Sequence, residues 1–256
     1  MRFLLVSLLL TLFFIPGFSE IKLSKNYPLK LGEKLIYSVS ALGAYLGDQI
    51  ITIDSKKEFK GKQVIVGSGS IKSSQFVSSV YNLNDREITY FLPKDITPVY
   101  NEKWIKEGEW IDHMFFTFYP GKIEYKHDKG GSGTTVIKYE GQTILNFYAL
   151  IQFVRLIDYD YYINNKLNIE IMYLFGETPT KTVFKPQYKT ISFKGKQKGV
   201  IYLEEVGGMN FQVSILNTPE MIPILLKVPS YSASSQSINF DVELKSYLPG
   251  KTILTQ

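Results

Sequence analysis

Apolar and polar residues alternate with a period of two along most of the chain. The cleanest case is Ile238, Phe240, Val242 and Leu244 interleaved with Asn239, Asp241, Glu243 and Lys245, the pattern of a strand with one wet face. Looser versions mark Leu35-Tyr37-Val39, Ile51-Ile53, Val64-Val66, Ile88-Tyr90-Leu92, Met114-Phe116-Phe118, Ile169-Ile171-Tyr173, Phe211-Val213-Ile215 and Ile224-Leu226-Val228. Turn signals separate many of them: Asn84-Asp85, Pro120-Gly121, Gly130 to Gly133, Gly207-Gly208 and Pro249-Gly250. Many short strands punctuated in this way predict a mostly β, antiparallel fold, either a β-sandwich or a curled, partly open barrel.

One segment breaks the rhythm. From Thr143 to Ile157 the apolar residues are too continuous for alternation and too long for a usual strand, and Thr143 or Asn146 is placed to cap a first turn. This predicts a single buried helix that plugs the mouth of the sheet or packs across it, since a helix apolar on every side must be covered on most of them. There is no internal repeat and no linker-like shift in composition, which favours one domain.

The N-terminus changes the picture by adding a destination. Arg2, an apolar run from Phe3 to Pro16 and the small residues of Gly17-Phe18-Ser19 have the form of a signal peptide, cleaved after Ser19. The run of about 14 residues is shorter than the roughly 20 that cross a hydrocarbon core. The expected division is therefore 1–19 as leader and 20–256 as a single β-rich exported domain, with the periplasm as destination and no transmembrane helix after cleavage. The absence of cysteine excludes disulfides, thiol catalysis, thiolate metal sites and a lipid-modified cysteine anchor. A net charge of +5 falls far short of the basic stripe of a nucleic-acid binder.

Candidate chemistry is sparse. His113 and His127 have no partner at ligand spacing, so neither a metal site nor a cofactor is expected. Asp158 and Asp160, if extended, share a face that suits acid/base work or calcium; a solvated segment after the helix is the simpler reading. Gly67-Ser68-Gly69 lacks the spacing of a nucleophile elbow and lies in an apparent strand, and Gly130 to Gly133 lacks the lysine and helix of a phosphate loop. The most suggestive stretch runs from Thr178 to Leu203. There Lys181, Lys185, Lys189, Lys194, Lys196 and Lys198 occur without an acid, interleaved with Phe184, Tyr188 and Phe193, and the last three lysines share a face of an extended chain. Such a stretch suits contact with a lipid or an anionic envelope surface. The simpler reading is that these lysines keep an edge hairpin soluble and unpaired.

Gly32-Glu33-Lys34-Leu35-Ile36-Tyr37-Ser38-Val39, then Gly43, Gly47 and the strand Ile50 to Ile53, resemble the bacterial exported family catalogued as domain of unknown function 3108. Tyr81 to Asp85 with Pro98, Tyr148 to Arg155, and Ile222-Pro223 followed by Ile238 to Leu244 resemble further parts of that family in the same order, over roughly Lys30 to Leu248. The chain departs from it in carrying Asn146 where the family has an aspartate before its helix, and Ser232 to Ser237 where the family's closing hairpin has a glycine. The resemblance implies an envelope location and a curved β fold, and it supplies no activity. Together these features point to a non-enzymatic periplasmic or envelope protein holding a lipid or other apolar ligand in a β groove. An outer-membrane β-barrel and, third, a hydrolase using Asp158 or Asp160 are the alternatives.

Overall fold

The computed structural model describes residues 21–26, 28–128, 134–139, 144–175, 178–207, 210–229 and 239–252. In chain order come β1 (Lys30–Leu31), β2 (Lys34–Ala41), β3 (Ala44–Phe59), β4 (Lys62–Ser73), the short helix α1 (Gln75–Ser78), β5 (Asn84–Phe91), β6 (Pro98–Glu107), β7 (Trp110–Tyr119), β8 (Lys122–His127) and β9 (Thr135–Lys138). Next are β10 (Ile144–Leu145), the helices α2 (Phe147–Phe153) and α3 (Tyr159–Asn164), then β11 (Ile169–Phe175), β12 (Thr178–Phe193) and β13 (Lys196–Glu205). Last come β14 (Gln212–Leu216), β15 (Pro223–Pro229), β16 (Asn239–Leu248) and β17 (Lys251–Thr252).

Fifteen of these strands form one sheet, ordered from β10 through β16, then β2 through β9, and β1 pairs with β17 beside it. Sheet neighbours are chain neighbours almost throughout. The exception is the seam where β16 pairs with β2, Val242 standing opposite Val39. All pairings are antiparallel except that of β10 with β11.

The sheet curls, and the covalent chain helps to enforce it. The two margins, β9 and β10, are joined by residues 139–143 alone, a connection that spans at most about 22 Å when fully extended. Across this gap Ile144 and Leu174 pack with Met114, Phe116, Phe118, Ile123 and Tyr125. The inner faces of the first and last parts of the sheet therefore meet, which makes the fold a curled, open barrel rather than a sandwich of two separate sheets.

Period-two alternation sorts side chains onto the two faces. In β2, Leu35, Tyr37 and Val39 are buried; in β16, Val242 and Leu244 point inward while Asp241, Glu243 and Lys245 stay exposed. The main core gathers inward residues of β2 to β5 and β11 to β16 around α2. Of the seven residues of that helix, the six from Tyr148 to Phe153 are buried, so it lies inside the curl.

The helix is shorter than the sequence pattern predicts. Ile144 and Leu145 are extended, Asn146 is the cap, and after Phe153 the chain closes with tight turns, Arg155 N to Gln152 O at 3.2 Å and Leu156 N to Phe153 O at 2.9 Å. The apolar run conceals these breaks because strand, helix and turn are all buried here, so none needs a polar face. Thr143 lies outside the described residues. Two short helices, α1 and α3, carry no pattern long enough to announce them. Asp158 and Asp160 do not share an extended face, because Asp158 caps α3 and Asp160 sits in its first turn. Asn84 and Asp85 open β5 rather than forming a turn. The glycines 130–133, Gly208 and the serine-rich segment 232–237 lie outside the described residues.

Candidate functional site

Inward positions on β5 and β6 depart from the apolar rule. Glu87 stands opposite Lys103 and Thr89 opposite Asn101, with Asp85 one inward position nearer the start of β5. Asp85, Glu87, Asn101 and Lys103 border a cavity of about 370 Å³ inside the curl. Its other walls are mostly apolar: Val39, Ile71, Phe240 and Val242 on one side, Phe116, Tyr173 and Leu174 on the other.

The start of α2 closes the cavity from within. The Asn146 side chain caps the helix, accepting from the Ala149 amide at 2.9 Å, and its Nδ2 donates to Thr89 Oγ1 at 2.8 Å. Asn101 Nδ2 donates to the same oxygen at 2.9 Å and to the Ile88 carbonyl at 3.2 Å. A cap that ordinarily serves only its own helix here also fixes α2 to β5. Beside it the Tyr148 ring lies flat on Gly67 and Gly69 of β4, and its hydroxyl donates to the Thr52 carbonyl. A Cβ at Gly67 would collide with the phenol, which is the reason the strand carries glycine there.

Burial acts on both carboxyls at this end. Burial raises the Glu87 carboxyl above its ordinary value, against the opposing pull of the Lys103 charge and an Asn101 hydrogen bond. Asp85 is pushed up to about 6 by burial, with nearby Glu107 adding to the shift and the Lys106 amide, 2.8 Å from Oδ1, opposing it. With Lys72, Arg86 and Lys103 also on the lining, two carboxyls and three cations beside a mostly apolar wall can receive a polar, hydrogen-bonding head while the rest of the cavity takes an apolar tail.

At the other end of α2 the charges are fully matched. Arg155 and Glu33, both buried, form a two-pronged ion pair: Nη1 meets Oε1, and Nη2 meets Oε2 at 3.0 Å. Arg155 also donates to Gln152 Oε1 at 2.8 Å and to the Glu220 carbonyl from Nε and Nη2, so every nitrogen is occupied. Tyr247 donates to Glu33 at 3.2 Å.

The residues singled out from sequence are dispersed. Phe184 faces the core, its ring 5.3 Å from that of Phe211. Lys181 pairs with Glu170 at 2.7 Å, Tyr188 donates to Asp160, and Lys189 lies over the Tyr202 ring at 3.6 Å. Lys194 forms the hairpin tip with Gly195 and donates to the Lys245 carbonyl at 2.8 Å, 5.3 Å from the Phe193 ring. It therefore does not share a strand face with Lys196 and Lys198, which remain on β13, exposed. Lys185 is exposed opposite Glu204. Residues 185–193 pair with β13 on one side and with no described strand on the other, so these lysines guard an edge.

Both histidines have acidic partners supplied by strand register. On the outer face His113 lies between Glu102 at 2.8 Å and Asp128 at 3.0 Å, stacked on Trp104; on the inner face His127 meets Asp112 at 2.7 Å. Among the described residues no group of three or more acids and histidines could hold a metal, and no described helix is long and apolar enough to cross a membrane.

No family model matches the chain, and no curated protein matches it. Among solved structures it is similar to the crystal structure of a beta-barrel-like protein of domain of unknown function DUF1849 from Brucella abortus. The TM-score is 0.53 at 8% sequence identity, covering 89% of this chain and 98% of that one. At that identity the likeness shows the curled β fold alone. That family differs from the one the sequence resembles.

Proposed function

We propose that this is a non-enzymatic protein of the bacterial periplasm or envelope that holds a single amphiphile, a lipid or lipid-like molecule, in the lumen of its curled sheet. The observation that carries the reading is the cavity beside α2, with mostly apolar walls and Glu87, Lys103 and Asp85 collected at one side of it. The volume of about 370 Å³ lies in the range of small-molecule sites. Export rests on the leader-like first 19 residues.

The direction of the alternation weighs against a membrane-spanning barrel. Such a barrel needs an apolar band outward and a closed edge; here the core is inward, and charges such as Asp241, Glu243, Lys196 and Lys198 stand outward. A hydrolase built on Asp158 and Asp160 finds little support, because one caps a helix and the other accepts from Tyr188.

The test is organic extraction and native mass spectrometry of the chain purified from its host. A stoichiometric bound amphiphile is expected, and Ile71→Trp, which fills the cavity from β4, loses it. An empty wild-type chain, or full retention of the ligand by the tryptophan variant, refutes the proposal.

A further inference from the structure

The cavity opens at an end of the curl where three chain segments are bonded side by side. The β2–β3 hairpin is tied to the segment between β4 and β5 by Ser74 N to Leu46 O at 2.7 Å. That segment is tied in turn to the β6–β7 turn by Gly108 N to Asn82 O at 2.9 Å and by Tyr81 Oη to Glu107 at 3.3 Å. Leu46, Ser73 and Leu83, where the first two segments leave and rejoin the sheet, all line the cavity.

This rim is apolar where it should be polar. Leu42 is 86% exposed, Phe76 84% and Val80 88%, while Tyr45, Tyr81 and Trp110 stand about half exposed among them. Leu42 is the most telling. It occupies the first position of a two-residue hairpin tip at φ 51°, followed by Gly43 at 79°, a turn that favours asparagine, aspartate or glycine and penalises a bulky side chain. Two other tips have the same conformation, Lys60-Gly61 and Lys194-Gly195, and both carry lysine. Leucine therefore stands at the cavity end at a conformational cost, with no burial in return.

We propose that this rim is a membrane-docking edge that sets the cavity mouth against a bilayer surface. The proposal rests on the reading of the cavity as an amphiphile site, since a lipid must enter and leave through a bilayer. The three tips reach into the acyl boundary and the tyrosines and tryptophan lie at headgroup level, the distribution of interfacial proteins. Exposed Lys72, Arg86 and Lys106 stand just behind the rim and make no ion pair among the described residues. Of the nearby acids Asp48 is paired with Lys245 at 2.9 Å, whereas Glu107, Glu109 and half-buried Asp85 stand against the three cations, so the rim carries little net charge and its apolar tips make the contact.

The experiment is flotation of the mature chain, purified from its host, with vesicles of phosphatidylcholine alone or mixed with phosphatidylglycerol. Wild type floats with both vesicle types to a similar extent, and Phe76→Ser combined with Val80→Ser lowers that partitioning by about tenfold. Both side chains are exposed, so the double variant keeps the wild-type thermal transition. Wild-type chain that stays unbound, a serine variant that floats like wild type, or a rim that engages only another protein overturns the proposal. Ile71→Trp separates it from the cavity reading: vesicle binding without any bound amphiphile, even in wild type, supports the rim while refuting the cavity.

Discussion

The two ends of α2 treat buried charge in opposite ways. Beyond its C-terminus Arg155 and Glu33 are sealed from water and every nitrogen of the guanidinium is occupied. Before its N-terminus Asp85, Glu87 and Lys103 face a cavity, and burial raises both carboxyls. The first arrangement locks helix, β2 edge and the β14–β15 turn together. The second sets charged groups beside open volume, which is what a ligand site needs.

The sharpest way to break this contrast is Arg155→Ala. It strands a buried carboxylate and should cost about 3–5 kcal/mol of stability in urea unfolding, whereas Lys103→Ala, next to water, should cost far less. Equal losses would erase the distinction. Next comes Gly67→Ala, which pushes the Tyr148 ring off β4 and should destabilise by about 1–3 kcal/mol; an unchanged denaturation midpoint would mean that the ring is free to move. Asn146→Ala removes the cap and the tie to Thr89, for a loss of about 1–2 kcal/mol by the same measurement.

The smallest effect concerns pH. The folded chain holds the Asp85 proton up to about 6, whereas the unfolded chain releases it near 3.8. A raised carboxyl contributes its stability in acid and loses it as pH climbs through that window. Asp85→Asn keeps the acceptor for the Lys106 amide and should stabilise the fold at pH 7 by about 1 kcal/mol, after allowing for solvent screening of a half-exposed group. The gain should vanish below pH 4; a gain independent of pH would place the cause elsewhere.

Much of the sheet was legible because alternation is local. Leu35-Tyr37-Val39 and Val242-Leu244 each read as inward faces in isolation, and each is one. The helix was legible only as a buried run: Asn146 was one of two capping candidates, but nothing local marks the switch from strand at Leu145 to helix at Phe147. The site was not legible. Glu87 and Lys103 lie in ordinary alternating strands and become a pair only through the β5–β6 register. Glu33 and Arg155 are 122 residues apart. His113 looked solitary because its partners sit on strands whose pairing no spacing reveals. The lysine-rich stretch attracted attention by composition, yet its members disperse to an acid, an aromatic ring, a turn and an edge.

By itself the sequence determined which residues face inward, because strand geometry places every second side chain on one side whatever the strand pairs with. It also determined that one continuous apolar segment had to be covered on all sides. Only the tertiary structure decided that the sheet would roll around that segment, that a few charged inward residues would end beside a cavity while others were sealed, and that exposed apolar tips would gather at its mouth. Those outcomes depend on register and on contacts between residues far apart in the chain, and no local pattern encodes them.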